Sequence, residues 1–329
     1  MEPKVTIVII TYNRAELLRR ALETAAQQDT DGKFRYEIIV IDDGSIDSTA
    51  DVVRCAADQS GVLIQYIYQE SGGIALARNR GIKAAHGNWI VFIDDDELAE
   101  KDLLKNLLDI GLKMNADCVA GTVLLQLPQG HLSHLGPVCR SMLGENTYPP
   151  EPAILRGKKL PPTGNIMISR KVFNSVGLFD ISMLSGGSDT DIALRIRAAG
   201  FVTWTAPNAV VHHLIPPYRL ERAFLRITSL RWGSQLGVIH RKRFGLAKLL
   251  DYCLLRVGKA LVIDMPRLIL AYLKGDTAGI LDWKCLQWRT IGYVRQTFCI
   301  VAPRLFLQRR FFAQLEFRKS RRDLLADIK

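Results

Sequence analysis

Trp89-Ile90-Val91-Phe92-Ile93-Asp94-Asp95-Asp96-Glu97 decides the fold. Five apolar residues run without alternation, as in a strand covered on both faces, and four acids close the run. A strand of that kind belongs to a sheet held between layers of helices. The same pattern recurs upstream. Val5-Thr6-Ile7-Val8-Ile9-Ile10 leads into Thr11-Tyr12-Asn13-Arg14, and Glu37-Ile38-Ile39-Val40-Ile41 ends in Asp42-Asp43-Gly44-Ser45. Val62 to Tyr68 supplies a further strand.

Helical patterns separate these strands. Leu17, Leu18, Ala21, Leu22 and Ala25 form an apolar face, and Asn13 and Glu16 have the spacing of a capping box in front of it. A capped helix begins near Ser48, and another runs from Gly73 to His86 and stops at Gly87. One more, over about Glu100 to Leu112, precedes a strand near Cys118 to Leu125. Residues 126–163 are rich in Pro, Gly and polar groups and show no clear element, while 164–213 return to a mixed α/β pattern. Repeated βα units predict an α/β domain over residues 1–217, a mostly parallel sheet flanked by helices. Residues 218–329 read as a basic helical segment, with an apolar stripe from Leu246 to Tyr272 that Pro266 should kink.

The formal charge of +11 is unevenly placed. From residue 240 onward there are 19 Lys/Arg against 7 Asp/Glu, so the excess lies wholly in the helical segment. No nucleic-acid recognition motif accompanies it. An apolar stripe interleaved with cations fits an interfacial helix on an anionic membrane, or an ordinary helical subdomain. The six cysteines form no Cys-x-x-Cys pair and are expected to be reduced thiols. With no signal-peptide pattern and no apolar run long enough to span a bilayer, the expected location is cytoplasmic, peripheral on the inner face of the plasma membrane if the basic segment is interfacial.

Ligands of such sheets bind beyond the carboxyl ends of the strands. Tyr12, Asp42, Asp43 and Asp94 to Asp96 all fall there. Four adjacent acids repel one another unless a cation compensates them, and a hard divalent ion bridging to substrate phosphates is a natural choice. Asp42 and Asp43 have the acceptor chemistry for a ribose hydroxyl or a base imide, or for an Asx turn. Gly72-Gly73 opening a helix lets backbone approach an anion, with Arg78 and Arg80 nearby. Gly186-Gly187-Ser188-Asp189-Thr190-Asp191 delivers two carboxylates to a helix start, as a general base or as plain caps. His212 and His213 follow a strand pattern, and either has the chemistry of a metal ligand.

Taken together these residues resemble family 2 glycosyltransferases of the GT-A fold. The resemblance rests on Ile10 to Arg14, Asp42 to Asp47, Gly73 to Gly81, Phe92 to Asp96, Gly164-Asn165, Gly177 to Asp180 and Asp189 to Arg195, in that order. It covers about residues 4–215 and implies a nucleotide-diphosphate sugar donor, UDP-sugar first, with Mn²⁺ or Mg²⁺. Thr11, Tyr12, Arg14, Asp42, Asp43, Gly73, Arg78, Asp94 and Asp95 would hold the donor. Asp94-x-Asp96 matches a DxD motif, so Asp96, Asp94 and His213 would take the metal. Asp189 matches the catalytic base, with Asp191 the second candidate. Ser188 stands where the family commonly has Glu, a departure that bears on acceptor contacts and base positioning, while Asp189 keeps a base available. The implied reaction is an inverting transfer to a saccharide or lipid-linked acceptor, in cell-envelope polysaccharide or glycolipid synthesis. A nucleotidyltransferase and an inactive sugar-nucleotide or lipid-binding module are the rival readings. The first lacks its triphosphate loop after the first strand.

Overall fold

A computed structural model describes residues 5–128, 134–157, 160–183 and 186–306. In chain order the first half holds β1 (Val5–Thr11), α1 (Ala15–Ala25), β2 (Tyr36–Asp42), α2 (Thr49–Gln59), β3 (Leu63–Tyr68) and α3 (Ile74–Ala84). Then come β4 (Trp89–Asp94), β5 (Glu97–Ala99), α4 (Leu103–Lys113), β6 (Cys118–Gln126) and α5 (Pro137–Met142). They are followed by β7 (Ile166–Ser169), α6 (Arg170–Val176), α7 (Ser188–Ala198) and β8 (Thr203–Leu214). Three long helices end the described chain: α8 (Arg222–Lys259), α9 (Met265–Lys274) and α10 (Thr277–Val301).

The described residues form two compact units. One holds residues 5–128 and 143–217, the other 134–142 and 218–306. In the first unit, eight strands make one sheet in the order β3-β2-β1-β4-β7-β6-β8-β5. β1 pairs in parallel with both β2 and β4, β2 with β3, and β6 with β8. β7 runs antiparallel between β4 and β6, and β5 antiparallel against β8.

The unalternated runs follow from a sheet with two covered faces. Val5, Ile7 and Ile9 of β1 enter one core cluster with Leu18, Leu22, Leu104 and Leu107. Val8 enters the other with Ile39, Ile41, Ala77, Ile82 and Phe92. Phe92 meets Phe173 and Phe179 edge to face, at centroid distances of 6.4 and 5.7 Å. Such pairs contribute roughly 1 kcal/mol each beyond their burial. Gly81 sits where a Cβ would strike Val8, so α3 can lie close on the sheet.

The expected capping box is not formed. Asn13 lies in the left-handed region (φ 50°), and its side-chain Oδ1 accepts from the Ile46 amide at 2.8 Å. The Asn13 amide donates to Ser45 Oγ at 2.8 Å, and Asp47 accepts from the Ala15 amide at 3.1 Å. The loop after β2 therefore caps α1, and Glu16 turns outward to Arg19.

In the second unit α8 and α10 pack through glycines. A Cβ at Gly233 would strike the Arg289 carbonyl, and one at Gly292 the Leu230 carbonyl. α8 breaks at Gly245 (φ 80°), which the periodicity does not reveal. A π-helical turn at Ala260–Asp264 then precedes α9, whose first turn contains Pro266. Of the predicted stripe Leu249 is buried, but Leu246, Leu250, Leu254, Leu261, Met265, Ile269 and Tyr272 are exposed.

Candidate active site

Three parallel strands end together and set the site. β1 delivers Thr11 to Arg14, β2 delivers Asp42 and Asp43, and β4 delivers Asp94 to Asp96. The registers pair Thr11 with Asp42 and Ile10 with Asp94, so the three ends are level.

The acidic run has a compensating cation within the protein. Arg14 Nη1 lies 2.6 Å from Asp95 Oδ1 and 2.9 Å from Asp96 Oδ2. Thr11 Oγ1 donates to the other Asp95 oxygen at 2.9 Å. Both carboxylates are buried. Burial nevertheless pushes Asp95 up to about 6 against the pull of Arg14, and Asp96 beside it adds to the rise. Asp94 is partly exposed and makes no hydrogen bond or ion pair through its side chain with any described residue. Burial also raises its pKa, with Arg78 the strongest opposing charge and Asp96 adding to the rise. Glu97 is buried, accepts from the Asp94 amide at 2.9 Å, and is raised well above the usual carboxylate range by burial and by Asp94.

Strand pairing separates the two histidines. β5 lies against β8 with Glu97 opposite His213, and the Leu214 amide donates to the Asp96 carbonyl at 2.8 Å. His213 is thereby buried with Nε2 3.4 Å from Asp96 Oδ1. His212, on the alternate face, meets Glu100 at 3.0 Å. Among the described residues no three His, Cys, Asp or Glu side chains form a ready metal cage. Asp96 with His213, and the unengaged Asp94, are what the site offers a cation.

Asp43 and Asp42 divide their work. Asp43 accepts from Gln69 Nε2 at 2.8 Å, from the Gly72 amide at 2.8 Å and from the Gly73 amide at 3.1 Å. It so holds the loop that opens α3. Gly73 has φ 89° and open space where a Cβ would stand, a conformation that favours glycine. Asp42 is buried and fully used, taking the Ser45 amide at 2.8 Å and the Tyr66 hydroxyl at 2.7 Å. Its carboxylate anchors the loop, with one bond on each oxygen. Tyr12 follows β1 in the bend before α1 and is partly exposed. Arg78 is buried with its guanidinium 5.3 Å over the Phe179 ring, and its Nε has no hydrogen-bond partner among the described residues. Asn79 fixes that ring by exchanging two 2.8 Å hydrogen bonds with the Phe179 backbone.

Asp189 and Asp191 part company as well. Gly186 and Gly187 both have φ 94°, and the turn that they make starts α7 with Gly187 as its cap. Asp189 is partly exposed and no described residue bonds to its carboxylate. It lines a small hollow with Pro161, Pro162, Thr163, Ile166 and Ile168. Gly164, which follows Thr163, lies where a Cβ would come within 2.5 Å of Glu97 Oε1, which ties this segment to the acidic strand end. Asp191 is buried and bound to Arg195 at 2.8 Å. Arg195 in turn donates to the carbonyls of Val176 and Leu178 at 2.6 and 2.8 Å, so Asp191 braces the loop after α6.

Asn165 was legible only as part of a motif. It is wholly buried with φ 55°, and its amide donates to Phe92 O at 2.9 Å. Its side chain donates to the carbonyls of Thr122 and Ala209 at 2.8 and 2.9 Å, spanning the register shift between β6 and β8.

The family model described as Glycosyl transferase family 2 matches residues 6–176. The chain belongs to glycosyl transferase family 2. Among family relatives, the succinoglycan biosynthesis protein ExoM of Rhizobium meliloti is 28% identical over 247 residues, 74% of this chain and 77% of that protein. Validoxylamine A glucosyltransferase of Streptomyces hygroscopicus subsp. jinggangensis is 31% identical over 229 residues. That match takes in 60% of this chain and 52% of the relative, so the chain spans about half its length. The fold is that of GT-A glycosyltransferases. The mannosyltransferase PcManGT from Pyrobaculum calidifontis, solved in complex with GDP-Man and Mn²⁺, superposes with a TM-score of 0.58 at 19% identity. The superposition covers 90% of this chain and 87% of that one. Family 2 membership makes sugar transfer the chemistry to be explained.

Proposed function

We propose that the chain moves a sugar from a nucleoside diphosphate donor, a UDP-sugar first, to an acceptor hydroxyl with inversion, in building a polysaccharide or glycolipid. The observation that carries this reading is the pairing of one level acidic strand end, Asp94 to Asp96, with a carboxylate that no described residue engages, Asp189. In this reading Asp189 takes the proton from the acceptor hydroxyl as that oxygen attacks the anomeric carbon. Asp43 holds the loop before α3 in shape for the nucleoside. Arg78, with an unused buried Nε, is suited to a diphosphate oxygen. Arg14 offsets the charge of Asp95 and Asp96 side by side before the donor arrives.

The residues present fit a divalent cation in one specific sense. Mg²⁺ is usually held by one or two carboxylates together with substrate phosphates, and the oxygen chemistry of Mn²⁺ is similar. Asp94 and Asp96, with His213 beside them, make such a partial set. A cation bound there would offset the charge that develops on the departing nucleoside diphosphate. The Mn²⁺ in the PcManGT complex supports the same reading. Polysaccharide assembly is suggested by the name of the ExoM relative.

Calorimetric titration with UDP, GDP and dTDP, each with and without Mn²⁺, tests the donor site. The reading expects one nucleotide to bind and Mn²⁺ to strengthen it. Asp189→Asn is then expected to bind that nucleotide normally and to lose turnover by at least roughly 100-fold. A folded chain that binds none of the three ends the reading.

A further inference from the structure

The second unit carries an apolar surface that its own described residues leave uncovered. Leu246, Leu250, Leu254 and Leu261 follow one another at helical spacing along the outer side of α8 and its π turn. Met265, Ile269, Tyr272 and Leu273 continue at the same spacing on α9, and Leu255 and Val262 lie beside them. Exposure reaches 73% at Leu254, 74% at Val262 and 80% at Leu273. In α9 Ala271 is the only buried residue. Contiguous apolar surface of this extent marks a place of contact rather than a resting face.

Charge selects the occupant. Residues 218–306 contain 16 Lys/Arg against 5 Asp/Glu. Several of these cations are turned to rings, not to acids. Arg222 stands over Trp288, Arg256 over Tyr293, Arg267 over Trp283, Lys284 over Tyr272 and Arg289 over Trp232, at 4.7 to 5.8 Å. None of the five is ion-paired with a carboxylate among the described residues; Arg256 and Arg289 are turned inward, while Arg267 is exposed on α9. A second copy of so cationic a unit would be repelled. The chain's own residues 307–329 carry 7 more Lys/Arg against 3 Asp/Glu, and would add charge of the same sign. An anionic bilayer meets both needs: apolar side chains enter the interface while Lys and Arg meet lipid phosphates. Tyr and Trp beside cations suit the depth of the headgroups. Among the described residues no helix is long and apolar enough to cross a membrane, so the contact is with its surface.

We propose that the α8–α9 face, centred on Leu254, Leu261 and Leu273, is a docking surface for an anionic lipid bilayer. The proposal stands independently of the donor and acceptor of the first unit.

Co-sedimentation of the full chain with vesicles tests it. Vesicles of phosphatidylcholine alone and of equimolar phosphatidylcholine and phosphatidylglycerol are compared at low and high salt. Binding to the anionic vesicles at low salt is expected, falling at high salt and on neutral vesicles. The triple variant Leu254→Glu, Leu261→Glu, Leu273→Glu changes exposed positions outside the candidate active site. It is expected to keep the wild-type melting temperature and to lose vesicle binding by at least roughly tenfold. Wild-type chain that ignores anionic vesicles, or a folded triple variant that binds as well as wild type, overturns the proposal. Light scattering of the unbound protein covers the remaining case. A wild-type dimer that the triple variant converts to monomer would make this face a self-interface and also overturn it.

Discussion

Arg14 stands over Asp95 at 2.6 Å and reaches Asp96 at 2.9 Å with the same nitrogen. One guanidinium thus neutralises two buried carboxylates from the turn after β4, 81 and 82 residues away in the chain. Replacing it with alanine leaves both acids buried without their cation, which costs on the order of 3 kcal/mol. Asp95 already titrates near 6, and loss of Arg14 drives it higher. Its folded pKa, already above the unfolded value, then lies further above it, so protonation favours the folded state. The Arg14→Ala deficit in denaturant unfolding is expected to be largest above pH 7 and to shrink as pH falls toward 5. Arg14→Lys, which keeps the charge but not the planar fork, should recover part of it. A deficit that does not change with pH would show that packing, not charge, is what Arg14 supplies.

Asp43 gives a prediction of a different kind, because its partners are main-chain groups. Asp43→Ala strands the amides of Gly72 and Gly73 and the Gln69 side chain. Gln69 is buried, and leaving such a donor unsatisfied costs about 1–3 kcal/mol. The loop before α3 should loosen, and nucleotide affinity in the calorimetric titration should fall by at least roughly tenfold. Asp42→Ala provides the contrast. Its carboxylate serves Ser45 and Tyr66, so it should lower stability by a similar amount while changing affinity less. Equal losses of affinity in the two variants would refute the division between them.

The sheet was legible because burial on both faces leaves a local mark. Val5 to Ile10, β-branched throughout, and the apolar run Trp89 to Ile93 show no alternation, as a strand covered on both faces requires. The partners of the acidic run were not legible, because pairing is long-range. Nothing near Asp95 points to Arg14, and His213 reaches Asp96 only through the antiparallel register of β5 on β8. The capping box was misread for the same reason: Asp47, from the next βα loop, supplies the acceptor that the sequence seemed to place at Asn13. Asp191 looked equivalent to Asp189 in the Gly-Gly-Ser-Asp-Thr-Asp stretch. One turn of helix later Arg195 takes it, as an i,i+4 pair.

In the second unit Asp282 is the residue whose loss should be felt furthest along the chain. It is buried on α10, and its two oxygens accept from the amides of Val138 and Cys139, each at 2.9 Å. A carboxylate from one helix so caps the six-residue α5 from 144 positions away. Asp282→Ala should cost about 2 kcal/mol and release α5, since both amides lose their partner. Hydrogen exchange is the readout. The amides of residues 138–142 should exchange faster in the variant while those of β1 and β4 are unchanged. Cys139 and Cys285, buried with sulfurs 3.8 Å apart, should become reactive to a thiol reagent in the variant. Unchanged protection at 138–142 would mean that α5 holds without its cap.

His240 should make the second unit acid-sensitive. It sits among Phe244, Tyr252 and Tyr293, with Nδ1 2.8 Å from the Tyr293 hydroxyl. Burial, with Arg256 nearby, lowers its pKa from the ordinary 6.5 to about 4. The unfolded chain therefore takes up this proton at a higher pH than the folded one. The stabilisation is whole above pH 6.5 and drains as pH falls from 6.5 to 4; below 4 both states are protonated and the loss stops. Allowing for partial exposure, the change is on the order of 2 kcal/mol. The measurement is denaturant unfolding of the wild type and of His240→Gln between pH 7 and pH 4, followed by tryptophan fluorescence, since all five tryptophans but Trp89 and Trp204 belong to α8 and α10. The glutamine variant should be less stable at pH 7 and converge on the wild type by pH 4. Parallel curves across that range would mean that His240 carries its proton equally in both states, and that the aromatic nest does not hold it neutral.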